Sequence, residues 1–214
     1  MTAAVAAFRS GGAPHILQVF EVGTATMMAS KGATVPVAKV LSDAGVAFDP
    51  KVYIPAVASY YTAPNGQMLS FPFNSSTTVF YYNKDAFKKA GLNADKAPTT
   101  WPEVFEAAKK LKASGHSCPM TLAWMGWTQL ESFSTWHNVE FATHQNGLGK
   151  DGYKARLKIN SPLHVRHIED LEKAAKAGEF VYKGRGSLPQ ASFVSPECAM
   201  IQTSSGFYGD VAKN

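Results

Sequence analysis

Three short clusters of hydroxyl and aromatic residues carry the candidate chemistry of this chain. Phe73-Asn74-Ser75-Ser76-Thr77-Thr78 sets four hydroxyls and an amide directly before a β-branched, aromatic run. Trp124-Met125-Gly126-Trp127 places two large rings around a glycine that permits a sharp turn, and Ser204-Ser205-Gly206 follows an apolar run that starts at Cys198. Glu21 stands at the end of a further apolar run beginning at His15. Hydroxyls and helix N-termini suit the oxygens of a phosphate or polyol, and an indole offers an apolar face to the carbon skeleton of such a ligand. Each cluster alone is ordinary turn chemistry. Their joint placement at strand ends, where open α/β sheets hold ligands, points to a binding site.

Other chemistries find less support. His164 and His167 stand at i, i+3 with Glu169 and Asp170 close behind, but the spacing supplies no third metal ligand. His137 reads as a packed or capping residue. Neither a Gly-x-Ser-x-Gly elbow nor a Walker-type phosphate loop occurs, and no His–acid pair can be assigned to Ser204 or Ser205. The expectation is therefore a non-enzyme with no metal and no cofactor. Cys118 and Cys198 each begin an expected strand. From the residues alone, two readings stand level: buried thiols, or a bridge closing a loop of ~80 residues and worth about 4 kcal/mol.

The elements that must position these groups alternate between strand and helix. His15 to Val22, Thr77 to Tyr82, Cys118 to Ala123 and Cys198 to Thr203 read as buried strands. Thr24 to Ser30 reads as a helix start, and Asn83 opens a helix that Gly91 ends. Thr100-Trp101-Pro102-Glu103 is a capping box, and the helix behind it stops at Gly115. Thr128 to His137 is a further helix with Leu130, Phe133 and Trp136 on its apolar line. Ser161-Pro162 starts another, with Val165, Ile168, Leu171 and Ala175 on one face, ending at Gly178. This alternation predicts an α/β fold with a mostly parallel sheet.

Composition narrows the class. A length of 214 residues with 45% hydrophobic and 17% charged residues excludes wholesale disorder, and two cysteines cannot staple a fold of this size. No stretch approaches the ~20 apolar residues of a membrane span. The net charge of +5 is spread without a basic block, so no nucleic-acid partner is expected. Up to Ser75 the chain holds four Lys/Arg and three acids. That is sparse for a surface and reads as a segment covered by other chain. Met1 to Arg9 lacks the basic start of a secretion signal and reads as the tail of a helix stopped by Gly11-Gly12, while the stretch after Gly206 has no closing element. Both ends are expected to be cut.

The stretches PHILQVFEVGTATMMAS, FNSSTTVFYYNKDAFKKAGL, TTWPEVFEAAKKLKASG, WMGWTQLESF and ECAMIQTSSG resemble the glycerol-3-phosphate-binding branch of the extracellular solute-binding proteins of ABC importers. This family includes the maltose-binding proteins. YYNKDAFKKAGL with the following T-W-P-E box marks the wider family; QVFEVGTATMMAS and FNSST mark the branch. The resemblance runs from Ala3 to about Gly206. It implies a periplasmic-binding-protein-like α/β fold of type II, with two lobes and a cleft, of which this chain supplies one nearly complete lobe and part of the other. Residues 1–76 would be the partial first lobe, 77–81 the crossing strand, 82–206 most of the second lobe, and 207–214 the start of the return segment.

The resemblance further implies a ligand set: Glu21 accepting from glycerol hydroxyls, Ser76 and Ser204 as hydroxyl contacts, and Trp124 and Trp127 walling the cleft. It also favours a Cys118–Cys198 disulfide. The implied function is a periplasmic receptor delivering sn-glycerol-3-phosphate or a glycerophosphodiester to an ABC permease and its ATPase. A sugar or oligosaccharide ligand, and a fragment without ligand activity of its own, are the alternatives. The family's upstream Tyr and its downstream Gly, Tyr and Arg contacts have no counterpart here.

Overall fold

The computed structural model describes every residue except Met1, Glu21, Val22, Ala25, Thr26, Met28, Ala29, Lys31, Pro64 and Asn214. The chain divides into two compact units, Met1–Ser75 and Ser76–Asn214.

The first unit holds helices α1 (Thr2–Arg9), α2 (Val37–Asp43) and α3 (Pro55–Tyr60), with Thr62 and Met68 forming an isolated antiparallel bridge. Helix α1 ends into Gly11, whose φ of 77° no side-chain-bearing residue adopts without strain. The strand expected over His15 to Val22 is not seen among its described residues. His15 to Phe20 has no ladder partner, and Ile16 is 91% exposed. An extended apolar run becomes a strand only where another strand accepts its N–H and C=O groups. The helix start expected at Thr24 to Ser30 lies largely outside the described residues. Met68 is buried, and Phe48 meets the edge of Phe71 at 5.5 Å between ring centroids, so the core formed by the described residues of this unit is thin.

The second unit is built on a three-stranded sheet of β1 (Thr78–Tyr82), β2 (Cys118–Leu122) and β3 (Cys198–Ser204) in the order β1-β3-β2. β2 runs parallel to the central β3, pairing Met120 with Met200 and Leu122 with Gln202. β1 runs antiparallel to β3, pairing Thr78 with Ser204 and Phe80 with Gln202. The sheet is therefore mixed rather than mostly parallel. β2 and nearly all of β3 are fully buried, whereas β1 is half-buried throughout. That departs from the expected strand covered on both faces, although β2, the other edge strand of the sheet, is fully buried.

Alternation of side chains along the strands divides the core in two. On one face Met120, Leu122 and Met200 pack with Phe87, Leu111 and Leu171. Those residues come from α4 (Lys84–Lys89), α5 (Trp101–Ala113) and, beyond α6 (Ser132–Trp136) and α7 (Thr143–Asn146), from α8 (Pro162–Lys176). On the other face Ala123, Ile201 and Phe207 pack with Tyr81, Phe193 and Val211, the last two from α9 (Pro189–Val194) and α10 (Tyr208–Val211).

Local signals set the helix ends. The Asn83 carboxamide oxygen accepts from the N–H groups of Asp85 and Ala86. Thr100 accepts from Glu103 N–H while the Glu103 carboxylate accepts from Thr100 N–H, closing the capping box. The Cys118 and Cys198 sulfurs are bonded to each other across the first register pair of β2 and β3.

The expected apolar face of α8 is displaced by one residue. The buried positions are His164, His167, Leu171 and Ala174, while Val165 and Ile168 are each 45% exposed. The two histidines can occupy the inner face because their ring nitrogens find partners there, as described next.

Candidate ligand-binding site

The C-terminal ends of β2 and β3 and the N-terminal end of β1 meet at one edge of the sheet, and three of the singled-out clusters sit there. Ser76 precedes β1, Ser204 closes β3, and Trp124 and Trp127 follow β2. Cross-links fasten this edge. Ser205 N–H donates to Thr77 O at 2.8 Å, and Thr77 N–H donates to Ser205 Oγ at 3.1 Å. Thr78 and Ser132 share a hydroxyl hydrogen bond at 2.7 Å, tying the start of β1 to the start of α6.

Ser204 Oγ accepts from Gly206 N–H at 3.1 Å, capping the short turn of Ser205–Phe207. Its hydroxyl proton stays available to a ligand oxygen. A Cβ on Gly206 would lie 3.3 Å from Ser204 Oγ and 3.7 Å from Ser76 Oγ. The two serine hydroxyls thus flank a glycine whose missing side chain leaves the space between them open. Ser76 is exposed.

The tryptophan turn is the most constrained piece of backbone here. Trp124 holds a φ of 52°, a left-handed conformation that a bulky residue adopts at a cost of roughly 1–3 kcal/mol. Its N–H donates to Gly186 O at 3.1 Å, and its ring lies 3.5 Å from where a Gly186 Cβ would stand. The indole is 46% exposed, so it offers a face to solvent. Trp127 is half-buried and begins a π-helical turn, Trp127–Glu131, that runs directly into α6. Such turns insert one extra residue into a helix and re-aim its side chains.

Behind the turn lies a buried polar network that sequence reasoning missed. The Gln129 amide donates to Gln202 Oε1 and to Thr128 Oγ1, and its oxygen accepts from His167 Nε2–H at 2.9 Å. Thr128 in turn donates to Ala123 O at 2.9 Å. The His167 ring stacks on Phe133 at 3.9 Å between centroids. Burial pushes its pKa down to about 4, with His137 and His164 adding repulsion that Asp170 partly opposes. Ser134 donates to Leu130 O and accepts from His164 Nε2–H at 2.8 Å, so His164 Nδ1 accepts from Ser161 at 2.7 Å. Both ring nitrogens of His164 are occupied by serines, which explains the histidine pair without a metal. His137 caps α6, its Nδ1–H bonded to Phe133 O at 2.8 Å. The one signal in the sequence for this network was a glutamine inside the apolar run Cys198 to Thr203.

Glu21 lies outside the described residues. Four of the singled-out residues, Ser76, Trp124, Trp127 and Ser204, occupy the same sheet edge. Among the described residues, no group of three His, Cys, Asp or Glu side chains is placed to hold a metal ion, and no helix is long and apolar enough to cross a membrane.

Hydroxyls and a solvent-facing indole are thus gathered at the strand ends. The chain belongs to the bacterial extracellular solute-binding protein family, whose sequence model matches residues 1–214. It is 52% identical over 215 residues to the sn-glycerol-3-phosphate-binding periplasmic protein UgpB of Rhizobium meliloti, covering 100% of this chain and 50% of the relative. The Yersinia enterocolitica protein of the same name is 53% identical over 212 residues, covering 99% and 48%. The chain thus spans about half the length of the relatives it matches. Among solved structures, an ABC transporter solute-binding protein from Thermotoga lettingae bound to alpha-D-tagatose superposes with a TM-score of 0.74 at 20% identity, covering 96% of this chain and 52% of that one. UgpB from Mycobacterium tuberculosis in complex with glycerophosphocholine superposes at 0.66 and 19% identity, covering 84% and 44%. These likenesses show the periplasmic-binding-protein fold.

Proposed function

We propose that this chain is part of a periplasmic, non-catalytic receptor that binds sn-glycerol-3-phosphate and delivers it to an ABC permease driven by a separate ATPase. The observation that carries this reading is the gathering of Ser76, Ser204, Trp124 and Trp127 at one sheet edge, in a chain about half identical to proteins that bear that ligand's name. The serine hydroxyls would meet ligand oxygens, the indoles would cover the carbon skeleton, and Glu21 would accept from the glycerol hydroxyls. Residues 1–76 are read as part of one lobe, 77–81 as the crossing strand, 82–206 as most of the other lobe and 207–214 as the start of the return. A fork of charge for the phosphate would come from elsewhere in the longer protein.

Isothermal titration with sn-glycerol-3-phosphate, beside the same titration with maltose, tests the reading. Heat with the phosphate alone is the expected result. Heat with maltose alone overturns the ligand class. Silence with both, in this chain and in the full-length protein, overturns the receptor assignment.

A further inference from the structure

We propose that Gln129 is a positioning residue for this site, locking the tryptophan turn to the end of β3 that carries Ser204. Gln129 is buried, and its single carboxamide engages two other elements of the unit, Gln202 on β3 and His167 on α8, besides its neighbour Thr128 within the same turn. Gln202 lies two residues before Ser204, and Gln129 lies two residues after Trp127. The bond between the two amides therefore spans the serine-bearing and tryptophan-bearing ends of the sheet.

Every polar atom of the Gln129 side chain is used in one orientation. Both N–H groups donate and the oxygen accepts from His167, so the amide cannot turn over unless Thr128, Gln202 and His167 all exchange donor and acceptor roles with it. The register of the π-helical turn is fixed by that choice. An apolar residue could fill the same volume but would not select one rotation of the turn, and the two indoles depend on that rotation. The cost of holding Trp124 at positive φ is the kind of strain that persists only where surrounding contacts over-determine it.

The proposal takes its ligand from the function given above, but its geometry stands apart from it, and the test separates the two. Four tryptophans in the whole 214-residue chain, labelled as 5-fluorotryptophan, give four fluorine resonances assignable by single Trp→Phe variants. In Gln129→Leu the resonances of Trp124 and Trp127 should shift or broaden while that of Trp136 stays in place. A lower melting temperature with the Trp124 and Trp127 resonances at their wild-type positions would make Gln129 merely structural and overturn the proposal. If Gln129→Leu does not fold, Gln202→Met removes the amide-to-amide bond alone and must move the same two resonances. Titrating sn-glycerol-3-phosphate into the folded variant should show a Kd about tenfold weaker than wild type, the worth of one net hydrogen bond. An unchanged Kd overturns the proposal. A wild-type chain that ignores the ligand counts against the ligand reading, and the resonances still decide the role of Gln129.

Discussion

The N–H of Trp124 donates to the carbonyl of Gly186 at 3.1 Å, and both residues sit at positive φ, 52° and 58°. A left-handed tryptophan is thus held against a left-handed glycine. A Cβ on Gly186 would touch the indole at 3.5 Å, an ordinary contact. The cost of Gly186→Ala therefore comes from backbone conformation rather than collision, and amounts to about 1 kcal/mol. Urea unfolding should show that loss while the Trp124 environment stays close to wild type. A loss several times larger would mean the ring is pushed aside.

Trp124 itself carries the strain of a left-handed backbone while its indole faces solvent. Replacing it by glycine relieves the left-handed strain and should leave the chain about 1 kcal/mol more stable than Trp124→Ala. Both variants should lose the indole's contribution to ligand affinity, about 1–3 kcal/mol for a well-packed aromatic wall. Calorimetric titration of the full-length protein, set beside its thermal melts, reads both effects. Equal affinity in wild type and variants would remove Trp124 from the site.

The Cys118–Cys198 bridge joins residues 80 apart in sequence at the first register pair of the two parallel strands. On the chain-entropy model, removing it costs about 4 kcal/mol. The double variant Cys118→Ala, Cys198→Ala should melt well below the oxidised protein, and thiol titration of the unreduced chain should find none free. Equal melting temperatures would mean the bridge adds nothing beyond what the buried strands already supply.

What could be read from the sequence was whatever depends on short-range rules. The capping box at Thr100, the Asn83 cap and the buried runs from Cys118 and Cys198 follow from residues within a few positions of each other. The strand at Thr77 to Tyr82 was legible but its antiparallel direction was not, because TTVFYY carries no mark of strand direction and direction is set by a partner more than a hundred residues away. The inner face of α8 was misread for a related reason. Periodicity ranks valine and isoleucine above histidine for burial, and only long-range partners, Ser134 and Gln129, make His164 and His167 inexpensive to bury. The site divided in the same way. Its serines and tryptophans stand in recognisable runs, whereas the Gln129–Gln202 pair behind them joins positions 73 apart that no local pattern connects.

His167 links this hidden layer to pH. Burial, reinforced by His137, holds its pKa down to about 4 in the folded chain, against an ordinary value of 6.5. Between those values the unfolded chain takes up a proton that the folded chain refuses. Stability conferred by the neutral ring is therefore complete above pH 6.5, falls as pH drops towards 4, and changes no further from this source below that. The whole span is worth up to about 3 kcal/mol. His167→Gln keeps a donor for Gln129 Oε1 but cannot titrate. Urea midpoints measured at pH 7, 5.5 and 4 should fall steeply for wild type and more gently for His167→Gln. Parallel curves would show that the acid sensitivity arises elsewhere, and that His167 serves the network by its hydrogen bond alone.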